Sequence, residues 1–300
     1  MRVAALLPAA TDIVLALGAG DQLVAVTHAC VVPAALSGVP RVTRSRIDAL
    51  GAAGIDGQVS GLSEAGAALF DLDEPTLVAQ KPDVILTQAV CEVCAVREED
   101  AKAVAGRLSP PPRVVSLGAR TVDGIIDDCM TVAHSLEIRG EGEELVAGLR
   151  SRMAAVHRKL KGAKAPRPGV AILEWIDPPF NAGHWVPDVV RRAGGEELFG
   201  ETGQLSRRLM FDEINGRDPS VVIVAPCGYS LAQTLAELEK HQDSAMTAWL
   251  REKGAWVVDA NRLLSSPGPG VVHGIEVLAR ILHPGLFGAP APRDAVQITP

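Results

Sequence analysis

The sequence predicts an α/β fold of two similar lobes with parallel sheets, joined by one long helix. The first observation behind this prediction is a long-range repeat. An apolar segment at 3–7 leads to a helix start and then to a glycine-rich stop at 18–20; an apolar segment at 170–173 leads in the same way to a stop at 194–195. The second observation is that short apolar runs alternate with helical segments, which is typical of parallel α/β architecture.

A second pair of similar segments supports the internal repeat. The acidic pair 73–74 precedes the strand-like segment 82–86, and the acidic pair 212–213 precedes the similar segment 219–223. Two similar lobes in one chain are expected to leave a cleft between them, and clefts of this kind are favoured ligand sites.

The individual strands are predicted from continuous apolar runs, which fit strands covered on both faces. They are 3–7, 23–27, 84–87, 114–117, 170–173, 221–224 and 256–258. Helices are predicted over 96–105 and 122–135. Residues 33–69 are rich in small residues with weak periodicity, so we expect irregular structure with short strands or turns there. The Pro- and Gly-rich tail after Pro284 is expected to fray.

A long helix is predicted between the two halves. Apolar residues recur at helical spacing through 145–160 and so form one stripe. A helix of about 20 residues spans roughly 30 Å, enough to bridge two lobes. The alternative is an ordinary crossover helix, but the repeat restarts directly afterwards. We therefore predict an N-terminal lobe (1–138), a bridging helix (139–163) and a C-terminal lobe with a frayed tail (164–300).

Composition restricts the function classes. The chain has 300 residues, 47% hydrophobic and 22% charged, with a formal net charge of −7. A basic nucleic-acid surface is therefore not expected. No apolar run reaches the ~18 residues of a membrane span. No signal peptide is recognisable, so a cytoplasmic location is expected if Met1 is the native start, and a periplasmic or cell-surface one if a leader has been removed.

Aromatic residues mark the candidate ligand site. Ligand groups of open α/β sheets lie in loops at the carboxyl ends of the strands. The chain has few such residues, one tyrosine and four tryptophans, and three of these five lie in the predicted loops: Tyr229, Trp175 and Trp185. Flat aromatic faces suit a large planar or apolar ligand. The alternative is that these rings seal the loops against the lobe.

Thiols and imidazoles suggest metal or redox chemistry. Cys91 and Cys94 precede a predicted helix, where a redox dithiol or half of a metal site is plausible, with His28 and Cys30 as the other half. Buried, unreactive thiols are the alternative. His184 is predicted to reach the cleft as a ligand for cobalt or another metal, with capping or loop packing as its alternative. Phosphate-loop, dinucleotide and hydrolase motifs are absent from the sequence, which favours binding over catalysis.

Several segments together resemble a known family. Residues 2–14, 82–86, 27–30, 87–94 and 183–187 are similar to the class III substrate-binding proteins of ABC importers, which bind cobalamin, haem and ferric siderophores. The cobalamin-binding-like branch is the most similar, and the resemblance extends from about residue 2 to 283. It implies the class III periplasmic-binding-protein fold, two Rossmann-like lobes with the ligand between them. It also implies an acidic transporter-docking residue on each lobe. The second-lobe position falls at Asp212, whereas the first-lobe position falls at Pro75, a departure from the family pattern, with the acidic Glu74 beside it.

The sequence and the resemblance lead to one functional prediction: non-enzymatic binding of a corrinoid such as cobalamin in the cleft, as a substrate-binding component, carrier or sensor. Expected partners are the corrinoid and ABC importer membrane subunits, without nucleic acid or membrane insertion. The predicted ligand-binding residues are Pro8, Thr11, His28, Gln88, Trp175, His184, Trp185 and Tyr229.

Two alternatives remain open. The first is a transition-metal, haem or siderophore binder that uses His28, Cys30, Cys91 and Cys94. The second is a thiol-disulfide enzyme at Cys91 and Cys94. The negative charge of Glu92 between these cysteines counts against the depressed thiol pKa that such an enzyme needs.

Overall fold

A computed structural model describes residues 1–49, 51–88 and 96–299. Its residues group into two compact units. The first unit comprises Met1–Leu50, Gly54–Ala119 and Asp123–Gly148, and the second comprises Gly51–Ala53, Arg120–Val122 and Leu149–Pro300. Within the described residues, no helix is both long and apolar enough to cross a bilayer.

The first unit is built around a parallel sheet. Its strands are β1 (Val3–Ala5), β2 (Leu23–Val26), β3 (Thr43–Ser45), β4 (Phe70–Leu72), β5 (Val84–Gln88) and β6 (Arg113–Leu117). Its helices are α1 (Pro8–Ala16), α2 (Ala52–Glu64), α3 (Glu74–Ala79), α4 (Glu98–Ala105) and α5 (Val122–Ser135), of which α2 and α5 begin with residues grouped in the second unit. The main sheet has the order β2-β1-β5-β6, with every pair parallel. Strands β3 and β4 form a separate antiparallel pair.

The second unit has a larger, mixed sheet. Its strands are β7 (Gly169–Ile176), β8 (Pro179–Asn181), β9 (Glu196–Glu197), β10 (Val221–Val224), β11 (Trp256–Val258) and β12 (Ala295–Gln297). The order is β12-β11-β10-β7-β8, with β9 also paired to β7. Strands β7, β10 and β11 are parallel, whereas β8 and β12 run antiparallel to their neighbours.

Helices surround this second sheet. They are α7 (Val186–Arg192), α8 (Phe211–Gly216), α9 (Leu231–Lys240), α10 (Ala245–Glu252), α11 (Ala260–Leu263), α12 (Gly270–Leu282) and α13 (Pro284–Phe287). Because alternating strands and helices bury both sheet faces, strand residues such as Ile172 and Ile223 are fully buried. The predicted α/β class with parallel sheets is confirmed.

The long helix α6 (Arg139–Gly162) crosses from the first unit to the second, and the boundary between the units falls after Gly148. The predicted apolar stripe faces inward at Leu149 and Val156, which are about 95% buried. The helix matches the segment predicted as a bridge, and the predicted domain boundaries at 138 and 163 stay predictions.

The internal repeat is visible in the backbone. Helices α1 and α7 both end at a glycine in the left-handed region, Gly18 at φ 72° and Gly194 at φ 92°. Glycine is favoured there because it has no Cβ to clash. Helices α3 and α8 are both followed by a left-handed residue before a proline, Lys81 at φ 46° and Asp218 at φ 44°. Corresponding helices in the two halves are therefore followed by a residue in the same left-handed backbone conformation.

Two sequence-based predictions about order are wrong. Residues 33–69 contain the short strand β3, which fits the prediction of short strands or turns, but also the 13-residue helix α2, which that prediction left out. Only Ala52 of α2 is buried, so this helix lacks the apolar stripe that reveals helices in a sequence. The tail after Pro284, predicted to fray, contains α13 and the strand β12. It is held because β12 pairs with β11 and because Asp294 is buried.

Candidate functional site

The strand ends of the first unit bring Thr11, Thr27 and Cys30 together. Pro8 and Thr11 were predicted in a loop, but they form the first turn of α1, because proline suits the first position of a helix. The Thr11 hydroxyl lies 3.0 Å from the Cys30 Sγ, and the Thr27 hydroxyl lies 3.1 Å from it. All three residues are buried. The Cys30 thiol is therefore enclosed by two hydroxyl groups.

Arg41 fixes the loop after β2. Its Nη1 donates to the backbone carbonyls of Thr27, His28 and Cys30, each at 2.9 Å. Three carbonyl acceptors for one guanidinium nitrogen hold the loop in a single conformation. The sequence analysis missed Arg41, because its partners are backbone atoms more than ten residues away.

His28 is exposed but anchored at one edge of its ring. Its Nδ1 lies 2.8 Å from the Thr43 hydroxyl, and its ring centroid lies 5.4 Å from that of Phe70. Partial burial of the ring, followed by the charge of Arg41, lowers its pKa below the usual 6.5. The imidazole is therefore neutral at pH 7, the form that binds metal ions.

The thiol-based predictions remain predictions. Cys91 and Cys94 lie outside the described residues, together with Glu92. Among residues 1–49, 51–88 and 96–299, no group of three or more His, Cys, Asp or Glu side chains is arranged to hold a metal ion. Gln88 is the last residue of β5 and is buried at the carboxyl end of that strand, and its predicted contact with a ligand stays a prediction.

In the second unit, Trp175 and Tyr229 form an aromatic pair. Trp175 was predicted in a loop, but it lies within β7, which continues into a hairpin with β8. The ring centroids are 5.4 Å apart in an edge-to-face arrangement at 75°. The Trp175 Nε1 donates to the Ala52 carbonyl at 3.1 Å. Both aromatic residues are half-buried, so part of each ring stays available for a ligand. Burial, followed by the charge of Glu237, raises the Tyr229 pKa, which keeps the phenol neutral.

His184 lies in a tightly held turn just before α7. Its backbone is left-handed at φ 53°, its N–H donates to the Gln204 carbonyl at 2.6 Å, and its carbonyl accepts from the Gly203 N–H at 2.8 Å. The side-chain Nε2 is buried and has no hydrogen-bond partner. Burial, followed by the charge of Arg120, lowers the imidazole pKa below 6.5. A buried polar atom without a partner is costly, so it requires a specific explanation such as a functional role.

Trp185, next in the chain, is packed into the protein. It is 9% exposed, and its Nε1 donates to the Leu264 carbonyl at 2.8 Å. Its ring centroid lies 5.6 Å from that of His184. This placement matches the packing alternative for Trp185 and leaves little of its surface for a ligand.

Two buried carboxyl groups near this turn were missed by the sequence analysis. Glu174 accepts from the Gly183 N–H at 3.0 Å and from the Ser206 hydroxyl, and burial raises its pKa. Glu197 accepts from the backbone N–H groups of Phe199 at 3.1 Å and Ile172 at 3.3 Å. Burial, together with the nearby charge of Glu174, raises the Glu197 pKa to about 8. For Glu174 the sequence held one signal, an acidic residue between Leu173 and Trp175 inside an otherwise apolar strand.

The two predicted docking residues occupy equivalent places. Glu74 is the first residue of α3 and forms an ion pair with Arg107. Asp212 is exposed in the first turn of α8. Each residue lies in the first turn of a helix that precedes a sheet strand, and their docking role stays a prediction.

Comparison with known proteins establishes the family. A family model described as periplasmic binding protein matches residues 3–248. The chain belongs to the periplasmic binding protein family. Membership of this family of substrate-binding proteins implies a small-molecule ligand and the membrane subunits of an ABC transporter as partners. No match was found among curated proteins.

Solved structures of this family share the fold over nearly the whole chain. A periplasmic heme binding protein from Pseudomonas aeruginosa has 19% identity and a TM-score of 0.73, covering 100% of this chain and 98% of its own. The periplasmic vitamin B12 binding protein BtuF of Vibrio cholerae has 18% identity and a TM-score of 0.65, covering 94% and 96%. An ABC transporter substrate-binding protein from Listeria monocytogenes has 16% identity and a TM-score of 0.68, covering 94% and 98%. The resemblance to class III substrate-binding proteins is thereby confirmed.

Proposed function

We propose that the chain binds a corrinoid such as cobalamin, and that His184, Trp175 and Tyr229 contact it. The observation that carries the proposal is the Nε2 atom of His184, which is buried without a hydrogen-bond partner. A lowered pKa keeps this imidazole neutral at pH 7. Neutral imidazole binds transition metals well, and the cobalt of a corrinoid supplies such an ion.

The aromatic pair supports the same ligand class. Trp175 and Tyr229 are half-buried, so each keeps both a fixed position and an open surface. Rings held in this way contact the apolar face of a large macrocycle at little entropic cost, because neither side chain needs to be ordered on binding. The similarity to a vitamin B12 binding protein agrees with this ligand. The similarity to a heme binding protein makes haem the competitor to test.

A titration of purified protein with hydroxocobalamin, followed by visible absorbance, tests the proposal. We expect saturable binding with Kd below about 100 μM, or roughly −5.5 kcal/mol. His184→Ala should weaken binding at least about tenfold and remove the spectral change that accompanies imidazole binding. His157→Ala is the matched control, since His157 is exposed on α6.

A parallel titration with haemin separates the two macrocycles. Saturation by haemin without saturation by cobalamin would replace the corrinoid proposal with a haem-binding one. Absence of saturable binding to either compound would contradict the proposal altogether.

We further propose that the corrinoid is passed to ABC importer membrane subunits through Asp212 and Glu74. Asp212 is exposed, whereas the Glu74 carboxylate is already paired with Arg107. Asp212→Lys should therefore reduce corrinoid uptake by cells more than Glu74→Lys does, with ligand affinity unchanged. Normal uptake with both substitutions combined would favour a carrier or sensor role instead.

A further inference from the structure

Glu174 connects the two chain segments that form the His184 turn. Its Oε2 accepts from the Gly183 N–H at 3.0 Å, and its carboxylate accepts from the Ser206 hydroxyl. Gly183 precedes His184, and Ser206 follows Gln204, whose carbonyl accepts the His184 N–H at 2.6 Å. The carboxyl group is almost fully buried, so these two contacts are not exchanged for water.

The two segments pack backbone against backbone. A Cβ added at Gly183 would lie 2.4 Å from the Ser206 N and 3.0 Å from the Gln204 carbonyl oxygen. Any side chain at position 183 would therefore force the segments apart. The turn is closed on one side by the backbone bonds of His184 and on the other by the carboxylate of Glu174.

The conformation of His184 needs this support. A non-glycine residue at φ 53° costs on the order of 1 kcal/mol or more and persists only where its surroundings hold it. If Glu174 is lost, the Gly183 N–H becomes a buried donor without an acceptor, and the turn relaxes to solvate it. That relaxation moves the His184 imidazole, whose Nε2 is the unpartnered atom of the site.

We propose that Glu174 is a positioning residue for ligand binding, which clamps the turn of 183–184 against 203–206 and so aims His184 Nε2 at the ligand. The proposal rests on the ligand-binding role proposed for His184. Glu174 itself need not touch the ligand.

The first test examines His184 without any ligand. In protein labelled with ¹⁵N-histidine, the imidazole signals of His184 are assigned by comparison with His184→Ala, and its pKa and tautomer are followed by NMR. We expect Glu174→Ala to raise the His184 pKa towards 6.5, because the ring becomes more exposed. Glu174→Gln keeps an acceptor for the Gly183 N–H and should leave the pKa and tautomer close to the native ones.

The second test measures cobalamin affinity and the visible spectrum of the complex for the same variants. We expect Glu174→Ala to weaken binding about tenfold or more with loss of the imidazole-dependent spectral change, and Glu174→Gln to restore both. Ser206→Ala removes one of the two contacts at lower risk to folding, and should give an intermediate loss. It serves as the test variant if Glu174→Ala does not fold.

Glu197→Ala is the matched control. Glu197 is also a buried acid that accepts backbone N–H bonds in the second unit, but those bonds come from Phe199, Ile172 and Gly200 and not from residues 183–184 or 203–206. Its loss should lower stability while leaving the His184 signals in place. If Glu174→Ala leaves the His184 signals and the affinity unchanged, or if both alanine variants weaken binding equally with His184 unmoved, the positioning role is refuted. If native protein binds no macrocycle, the proposed function fails, and the ligand-free NMR comparison still decides whether Glu174 positions His184.

Discussion

Glu197 should make the second unit less stable as the pH rises, and Glu197→Gln should remove this contribution to the pH dependence. The carboxyl group of Glu197 is buried and has a pKa of about 8, against 4.5 for an ordinary glutamate. The folded protein therefore keeps a proton that the unfolded chain releases. Because glutamine is neutral at every pH and similar in shape, it removes the titration while preserving an acceptor for the backbone N–H groups.

The sign and size follow from proton linkage. Between pH 4.5 and about 8 the folded state binds more protons at this site than the unfolded state, so the free energy of unfolding falls as pH rises. Each pKa unit is worth 1.36 kcal/mol, and the difference between about 8 and 4.5 therefore corresponds to about 5 kcal/mol. The contribution is fully present below pH 4.5 and is lost by about pH 8. Over the two pH units from 5.5 to 7.5 the expected loss is about 2 to 3 kcal/mol.

Tryptophan fluorescence measures the relevant unfolding selectively. All four tryptophans of the chain, at positions 175, 185, 249 and 256, lie in the second unit, where Glu197 also lies. Asp128, whose pKa burial raises to about 6, belongs to the first unit and should contribute little to this signal. Urea unfolding at pH 5.5, 6.5 and 7.5 is compared for native protein and Glu197→Gln. The difference in unfolding free energy should grow in favour of the variant by about 1 kcal/mol per pH unit. A difference that stays constant across this range would show that Glu197 titrates normally and would refute the reasoning.

Substitutions at three further positions should change the free energy of unfolding by an amount that urea unfolding can measure. Asp188→Ala should cost about 2 to 3 kcal/mol, because the buried carboxylate accepts from the Val122 N–H at 3.0 Å; Asp188→Asn, which retains an acceptor, should cost less. Trp175→Phe should cost about 1 kcal/mol, because it loses the 3.1 Å bond to the Ala52 carbonyl while keeping an aromatic ring; an unchanged midpoint would mean that this bond does not contribute. Ser230→Ala should cost about 1 kcal/mol by removing the capping box of α9, and Ser230→Asp should recover most of that loss.

The core strands were predictable because their signal is local. The strands at Val221–Val224 and Trp256–Val258 have the predicted bounds, since a short apolar run bounded by turn residues is sufficient to define a buried strand. Helix α2 was missed because burial of Ala52 alone produces no periodic pattern. Strand β12 was missed because it is defined by pairing with β11, about forty residues earlier in the chain.

The candidate site was predictable to a similar extent. Trp175, Tyr229 and His184 were identified because rare residue types follow predicted strands. Glu174 and Arg41 were missed because their roles depend on backbone groups of distant segments, which no spacing rule connects to them. Sequence patterns therefore identified groups that can face a ligand, and the structure added those that hold them in place.

The short strand β12 has a consequence for how the chain tolerates shortening. It covers the outer hydrogen-bonding edge of β11, an apolar strand with the sequence Trp-Val-Val. Proline residues at 290, 292 and 300 flank β12, and proline resists further strand addition. Removal of residues 291–300 would leave the backbone hydrogen-bonding groups at the edge of β11 unpaired and favour self-association of the second unit through that edge. We therefore expect residues 295–297 to protect the second unit against aggregation through the edge of β11.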